Sequence, residues 1–374
     1  MRIGIDGRLL SVRHTGISVY TLELLRRLQH YDVDYFIYMP SEPVEVERWS
    51  GQITFRYSSC RSRLGRFLWA QALLPKLAIS DRLDIFWGPA HRVPHQLPRR
   101  TAKVVSIHDL TWKLHPGTMR LTGFINEWLQ VPSVLRNCDR VVVDSESTFS
   151  DLIKFFPSVE EKTTVVPLGI PFLTQPEPRL SLLRFNIDRP YFLFVGTLEP
   201  RKNLRRLLLA YSLLPRAVRE QNLFVVVGGS GWGPSIKRYA ASLGINEQVI
   251  FLGYIDRGVL ATFYANAKFL AMPSIYEGFG LPIVEAMSLG LPVLASGVSS
   301  MPEVVGEAGL LVNPMDHNEI SRAILRMLTD GELLCRLSFL AKKQARLFSW
   351  EKAASAIMDI FVEAVAFRRR VSLG

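Results

Sequence analysis

Two stretches of this 374-residue chain bring together side chains whose types and spacing can do chemistry. The first is Gly196-Thr197-Leu198-Glu199-Pro200-Arg201-Lys202-Asn203, which follows the β-rich run Tyr191 to Val195 and precedes Leu204, Leu207, Leu208 and Tyr211 at helical spacing. A strand, a turn and a helix start are implied. Asn203 is placed to cap that helix, whose unpaired N–H groups attract an anion, while Arg201 offers a planar fork and Lys202 a point charge. A diphosphate would satisfy all three. The plain alternative is a surface pair neutralised by Glu199; the position of both cations at a strand's carboxyl end favours the anion.

The second stretch runs from Pro273 to Met287 and contains Glu277-Gly278-Phe279-Gly280-Leu281-Pro282-Ile283-Val284-Glu285 directly after the run Phe269 to Met272. Gly278 and Gly280 let the backbone approach a ligand, and Pro282 suits the first turn of a helix that must end before Gly290. Glu277 then sits on a loop and Glu285 on a helix, so two carboxylates can accept hydrogen bonds from sugar or ribose hydroxyls. For Glu285 alone, an acid in the first helical turn is the simple alternative. His108 follows the run Lys103 to Ile107; an imidazole at a strand end can donate or accept a hydrogen bond at neutral pH, or be a satisfied loop residue. Its neighbour Asp109 could form an Asx-turn or orient His108.

These residues need a scaffold, and the sequence supplies one. Short β-rich runs alternate with longer helical patterns, the mark of parallel sheets built from βαβ units. The first series is Ile3 to Ile5, Tyr35 to Met39, Ile53 to Tyr57, Asp84 to Trp87, Lys103 to Ile107, Arg140 to Val143 and Thr164 to Val166. The second is Tyr191 to Val195, Leu223 to Val227, Val249 to Leu252, Phe269 to Met272, Pro292 to Ala295 and Leu310 to Val312. Two doubly wound parallel sheets follow, with ligands expected beyond the strands' carboxyl ends. Four prolines between Pro167 and Pro178 suit a linker. We divide the chain into an N-terminal Rossmann-like domain, 1–172, and a C-terminal domain, 173–350, with a last helix, about 351–374, crossing back to the first.

With these motifs in chain order, the sequence resembles the glycosyltransferase family 4 group, also called group 1. Asp6-Gly7-Arg8 with Thr15-Gly16-Ile17, Ile107-His108-Asp109-Leu110-Thr111 and Pro302-Glu303-Val304 add to the likeness, which covers nearly the whole chain. The resemblance implies an α/β protein of GT-B fold, two Rossmann-like domains facing a central cleft, and a retaining hexosyltransferase. It implies that Arg201 and Lys202 hold a donor diphosphate, that Glu285 holds the ribose, and that Glu277 with the backbone of Gly278, Phe279, Gly280 and Leu281 holds the transferred sugar and phosphate. Gly16 would belong to a loop closing over the phosphates, Tyr254 and Ile255 to the turn that contacts the base, and His108 would lie beside the donor sugar. The catalytic set is thus His108, Glu277, Arg201 and Lys202. Mannose from GDP-mannose is the donor the resemblance favours, with a UDP-sugar as the alternative. The resemblance likewise implies a saccharide or polyprenyl-linked saccharide as acceptor, in cell-surface polysaccharide synthesis. No cofactor and no metal are expected, the nucleotide sugar being a substrate.

Composition sets the limits. Hydrophobic residues at 48% and charged residues at 21% exclude a disordered or fibrous chain. A net charge of +11 favours acidic partners without choosing among phosphates, anionic lipid and nucleic acid. Three scattered cysteines, Cys60, Cys138 and Cys335, fit no metal or redox spacing and suit a reducing cytoplasm. The start Met1-Arg2-Ile3-Gly4-Ile5-Asp6 is no secretion signal, and no run is long and apolar enough to span a bilayer. Membrane contact, if any, is peripheral: Arg61, Arg63, Arg66 and Lys76 flank Leu64, Phe67, Leu68, Trp69, Leu73 and Leu74 in a basic amphipathic stretch, whose bland reading is a helix packed on its own sheet. Asp32-Val33-Asp34 precedes a strand and reads as a solvated turn, and Gly228-Gly229-Ser230-Gly231-Trp232-Gly233 as a turn or a ligand loop. Two rival functions remain. A glycoside hydrolase using Glu277 and Glu285 leaves the Arg-Lys turn unexplained, and a basic nucleic-acid-binding protein lacks a recognisable motif.

Overall fold

Runs such as Tyr191–Val195 and Leu223–Val227 are apolar at every position because helices cover both faces of a parallel sheet, so neither side of the strand meets water. In the computed structural model each expected run is a strand. The structure describes all residues except 12–14, 43–48, 50–51, 61, 230–232 and 374. Arg61 of the basic stretch and Ser230, Gly231 and Trp232 of the glycine-rich turn lie outside the described residues.

The first unit comprises 1–114, 120–169 and 349–374. Its strands are β1 (Arg2–Asp6), β2 (Asp34–Met39), β3 (Ile53–Tyr57), β4 (Ile85–Gly88), β5 (Ala102–Ile107), β6 (Arg140–Val143) and β7 (Thr163–Val165). They form one parallel sheet in the order β3-β2-β1-β4-β5-β6-β7. The order reverses beside β1, which pairs with β2 on one edge and β4 on the other. The last helix, Trp350–Leu373, packs on the helix Gly16–Leu28 and on β4 and β5. Arg27 pairs with Glu351, and Arg368 with Asp139, from its two ends.

The second unit comprises 115–119 and 170–348, so the chain divides a few residues before the expected boundary at 172. It holds β8 (Tyr191–Val195), β9 (Leu223–Val227), β10 (Val249–Gly253), β11 (Leu270–Met272), β12 (Val293–Ser296) and β13 (Gly309–Val312). These form a second parallel sheet in the order β10-β9-β8-β11-β12-β13, with the reversal between β8 and β11. Phe192 stacks between Phe224 and Phe269, its centroid 4.4 and 5.0 Å from theirs, which ties the three central strands on one face.

The basic amphipathic stretch departs from its bland reading. It forms a helix, Arg63–Leu68, a π-turn, Trp69–Leu73, and a second helix, Leu74–Ser80. Trp69 and Leu74 are buried, but Leu64, Phe67 and Leu68 stay 67%, 57% and 55% exposed. Its apolar stripe therefore faces outward. Asp32 is exposed in the bend before β2, at the strand's amino end.

Candidate active site

In an open α/β sheet the crevice for a ligand lies where the strand order reverses, at the carboxyl ends. In the second unit these are the ends of β8 and β11, from which the Arg-Lys turn and the Glu277 loop emerge. The turn is a short 3-10 segment, Pro200–Lys202, closed by Asn203 in the left-handed conformation at φ 60°. Asn203 stands at the helix start as expected, yet its side chain caps nothing there. Its Nδ2 donates instead to the carbonyls of Pro273 at 2.8 Å and Pro314 at 2.7 Å, pinning the turn to the segments after β11 and β13. The left-handed backbone turns the amide away from the helix's own N–H groups, which is why the capping expectation fails.

Pinned this way, the two cations reach one carboxylate. Arg201 donates from Nη1 to Glu277 Oε2 at 2.8 Å and to the Tyr276 carbonyl at 2.7 Å. Lys202 Nζ lies 2.6 Å from Glu277 Oε1. Burial opposes the Glu277 charge, but Arg201 and Lys202 outweigh it and hold the carboxyl at about 2, against an ordinary 4.5. Arg201 also stands 3.8 Å from the half-exposed Glu199, so the buried part of the cluster is two cations around the one carboxylate of Glu277, with Glu199 at its open side.

The loop is set from below by two serines. Glu277 N donates to Ser299 Oγ at 3.0 Å, and Ser300 Oγ donates to the Glu277 carbonyl at 2.9 Å. Gly280 takes φ 101°, a backbone that side chains resist, and starts the helix Leu281–Ser288. The amides of Phe279, Gly280 and Leu281 donate to no group among the described residues, so they remain open to an anion.

Glu285 lies on that helix beyond its first turn, which removes the simple dipole reading. It is buried, and each carboxylate oxygen already accepts one bond: from Arg257 Nη2 at 2.9 Å and from the Tyr264 hydroxyl at 2.7 Å. A carboxylate oxygen takes a second donor, so ribose recognition would use that remaining capacity. Tyr254, Ile255 and Arg257 leave the end of β10, with Tyr254 exposed. Gly228 permits a close approach: a Cβ there would lie 1.8 Å from the Gly196 carbonyl oxygen. A hollow of about 520 Å³ behind the turn is lined by Glu199, Asn203, Arg205, Arg206 and Tyr239 but by neither Arg201 nor Lys202, so it is not the anion site.

His108 belongs to the first unit, at the end of β5. Its Nδ1 lies 2.6 Å from Asp144 Oδ2 and its Nε2 2.7 Å from the Pro89 carbonyl. Two acceptors facing both ring nitrogens favour the doubly protonated ring. Burial pushes the pKa down, but Asp144 overrides it and raises the value above 6.5. The expected imidazole free to donate or accept is thus already engaged at both nitrogens. Asp109 accepts from Thr111 N at 2.9 Å, and the residue that orients His108 is Asp144. Gly16 opens the helix Gly16–Leu28, capped by the reciprocal bonds of Thr15 and Ser18.

Asp144, Arg257, Tyr264, Ser299 and Ser300 were not expected from the sequence. Their signal was positional: Asp144 follows β6, Arg257 follows the turn after β10, and the serine pair follows β12.

Residues 14–172 match Glycosyltransferase Family 4 and residues 183–344 match Glycosyl transferases group 1. An O-antigen chain mannosyltransferase B of Escherichia coli is 32% identical over 380 residues, which cover 93% of this chain and 96% of that protein. The chain belongs to the group 1, family 4 glycosyltransferases. It shares their GT-B architecture of two parallel α/β sheets. Sucrose-phosphate synthase of Thermosynechococcus elongatus superposes with TM-score 0.78 at 21% identity, covering 98% of this chain and 99% of that one. Anabaena HepE, solved with UDP and glucose, superposes with TM-score 0.74 at 19% identity, covering 96% and 98%. This glycosyltransferase contains no helix, among the described residues, long and apolar enough to cross a membrane.

Proposed function

We propose that this glycosyltransferase moves mannose from GDP-mannose to a saccharide acceptor, with retention at the anomeric carbon and without a metal ion. The observation that carries the reading is the buried Arg201–Glu277–Lys202 cluster at the reversal point of the second sheet. Breaking an anomeric C–O bond builds negative charge on the departing diphosphate, and fixed cations lower that barrier most where water is excluded. Arg201 and Lys202 supply such charge, and the open amides of Phe279, Gly280 and Leu281 add oriented dipoles. This replaces the divalent ion that other transferases use. Glu277 is held ionised far below neutral pH, so it is neither a general acid nor a free nucleophile, which weighs against the hydrolase reading. No residue is assigned as nucleophile; the leaving phosphate would take the acceptor proton on the face it departs from.

Mannose rests on the names of relatives, the E. coli O-antigen enzyme first among them. The O-antigen chain in that name points to a growing saccharide chain as acceptor, and in our reading this chain is carried on a lipid at the inner face of the cytoplasmic membrane. Peripheral contact is supported by the outward stripe Leu64, Phe67, Leu68 and by a second on the helix Leu121–Asn137, where Leu121, Ile125, Trp128 and Leu129 are exposed at helical spacing. The test is transfer from GDP-mannose and from UDP-sugars to a prenyl-diphosphate saccharide, with Lys202→Ala beside the wild type. GDP-mannose should be used best, and Lys202→Ala should lose about a hundredfold or more in turnover. Preference for a UDP-sugar would move the donor assignment, and near-normal turnover of Lys202→Ala would refute the role given to the cluster.

A further inference from the structure

The first sheet reverses its order beside β1, so it too has a crevice at the carboxyl ends of β1 and β4. A hollow of about 250 Å³ lies there. Arg8 and Leu9 reach it from the end of β1, Pro40 from the end of β2 and Arg92 from the segment after β4. Arg66, Phe67 and Trp69 come from the basic amphipathic stretch, and Asn126 from the helix Leu121–Asn137. Of the three arginines Arg66 is exposed to water, but a guanidinium as buried as that of Arg92 is costly unless something answers its charge.

Among the described residues, Arg8 alone of the three has an ion-pair partner. Arg8 is paired with Asp6. Glu127, the other carboxylate near Arg92, is bound to His91 Nδ1 at 2.9 Å. The Arg92 side chain makes no hydrogen bond or ion pair among the described residues, although it is partly buried and stands near Arg8. Arg66 has no partner there either. A second observation is independent of charge: Trp69 is 2% exposed, and its indole Nε1–H finds no acceptor among the described residues. A buried N–H left open costs stability unless a ligand accepts from it. A partly buried Arg92 that Glu127 and Asp6 attract without bonding to it, Arg66 at the open side and one indole donor without an acceptor, with no acidic side chain lining the hollow, can receive a multi-oxygen anion.

The surroundings narrow the anion's source. Both helices that wall the hollow carry apolar side chains into solvent: Phe67 beside Arg66, and Ile125 beside Asn126. An anion attached to a long apolar chain would place its charge among the arginines and its tail along these stripes.

We propose that the hollow formed by Arg66, Trp69, Arg92 and Asn126 binds the diphosphate of the acceptor's lipid carrier. The proposal rests on the lipid-linked acceptor of the preceding subsection. Calorimetric titration of inorganic diphosphate into the full chain, with saturating GDP present to fill the donor site, tests the hollow without any catalysis. Wild type should bind diphosphate under these conditions. Arg66→Gln and Arg92→Gln should each weaken that binding about tenfold or more while GDP affinity stays within about twofold. Arg66 is exposed, so its variant should fold even if that of Arg92 does not. Diphosphate fully displaced by GDP, or bound equally by wild type and Arg66→Gln, would overturn the site. A second arm compares one saccharide carried on a prenyl diphosphate with the same saccharide on a neutral alkyl chain. Arg66→Gln should raise KM about tenfold for the first and leave the second unchanged. An equal rise for both would overturn the assignment to the acceptor's diphosphate. Absence of transfer to either would refute the functional reading, while the titration still judges the hollow.

Discussion

On the proposed function, Glu277 is a carboxylate that organises a site without performing its chemistry. Its charge is stabilised by Arg201 and Lys202 against the cost of burial, and the carboxylate in turn holds the two cations together at the place proposed for the diphosphate. Removing the carboxylate takes from Lys202 its buried ion-pair partner and leaves Arg201 with the Tyr276 carbonyl and the more distant Glu199, which breaks a buried network. Glu277→Gln should therefore destabilise the protein by about 3 kcal/mol at pH 7. The pH dependence has a definite sign. A folded pKa of about 2 against an ordinary 4.5 means that the charge contributes stability above 4.5, lost as pH falls through about 2. The gap in unfolding free energy between wild type and Glu277→Gln, followed by denaturant titration, should hold steady from neutral pH to about 5 and narrow below that. A gap independent of pH would show that the carboxylate is not ionised against these cations.

At the scale of elements, Asn203 carries the turn. It joins the segments after β8, β11 and β13 through two buried bonds from a single amide, and occupies a left-handed backbone that Asn tolerates better than most residues. Asn203→Ala should cost about 3 kcal/mol, from two orphaned carbonyls and backbone strain, and should raise the donor KM because Arg201 and Lys202 sit on the loosened turn. Asn203→Gly relieves the backbone but not the carbonyls, so it should recover only part of the loss in denaturant unfolding; full recovery would mean that strain alone was at stake.

The same residue shows what the sequence makes legible. The strands were visible because β8, β9 and β12 are buried on both faces and must be continuously apolar, and the turn was visible because its cations follow one of them. The partner Glu277 was visible as a motif. Its bonding to Arg201 and Lys202 was not, since it joins residues more than 70 positions apart through a strand crossover. Asp144, Arg257 and Tyr264 were missed for the same reason. Periodicity reports which face a residue occupies; it does not report which neighbouring strand end will meet it.

At the scale of the whole molecule, the chain's last helix completes its first unit. Trp350, Ile357, Phe361 and Ala364 are buried by Trp350–Leu373 on the strands and helix laid down by the first third of the sequence. Phe361 packs on Trp87 of β4 with ring centroids 5.7 Å apart, and Trp350 on Tyr20 at 6.1 Å. Tyr20 in turn meets the His108 ring edge-on at 4.7 Å, so the packing under His108 depends on residues more than 200 positions later. Phe361→Ala should cost about 3 to 5 kcal/mol as a large-to-small change in a filled core. The loss should be local. Hydrogen exchange should show faster exchange in β4, β5 and the helix Gly16–Leu28, while β8, β9 and β11, which belong to the second unit, keep their protection. Equal loss of protection in both sheets would mean that the two units unfold as one, and that the last helix stabilises the second sheet as much as the sheet it covers.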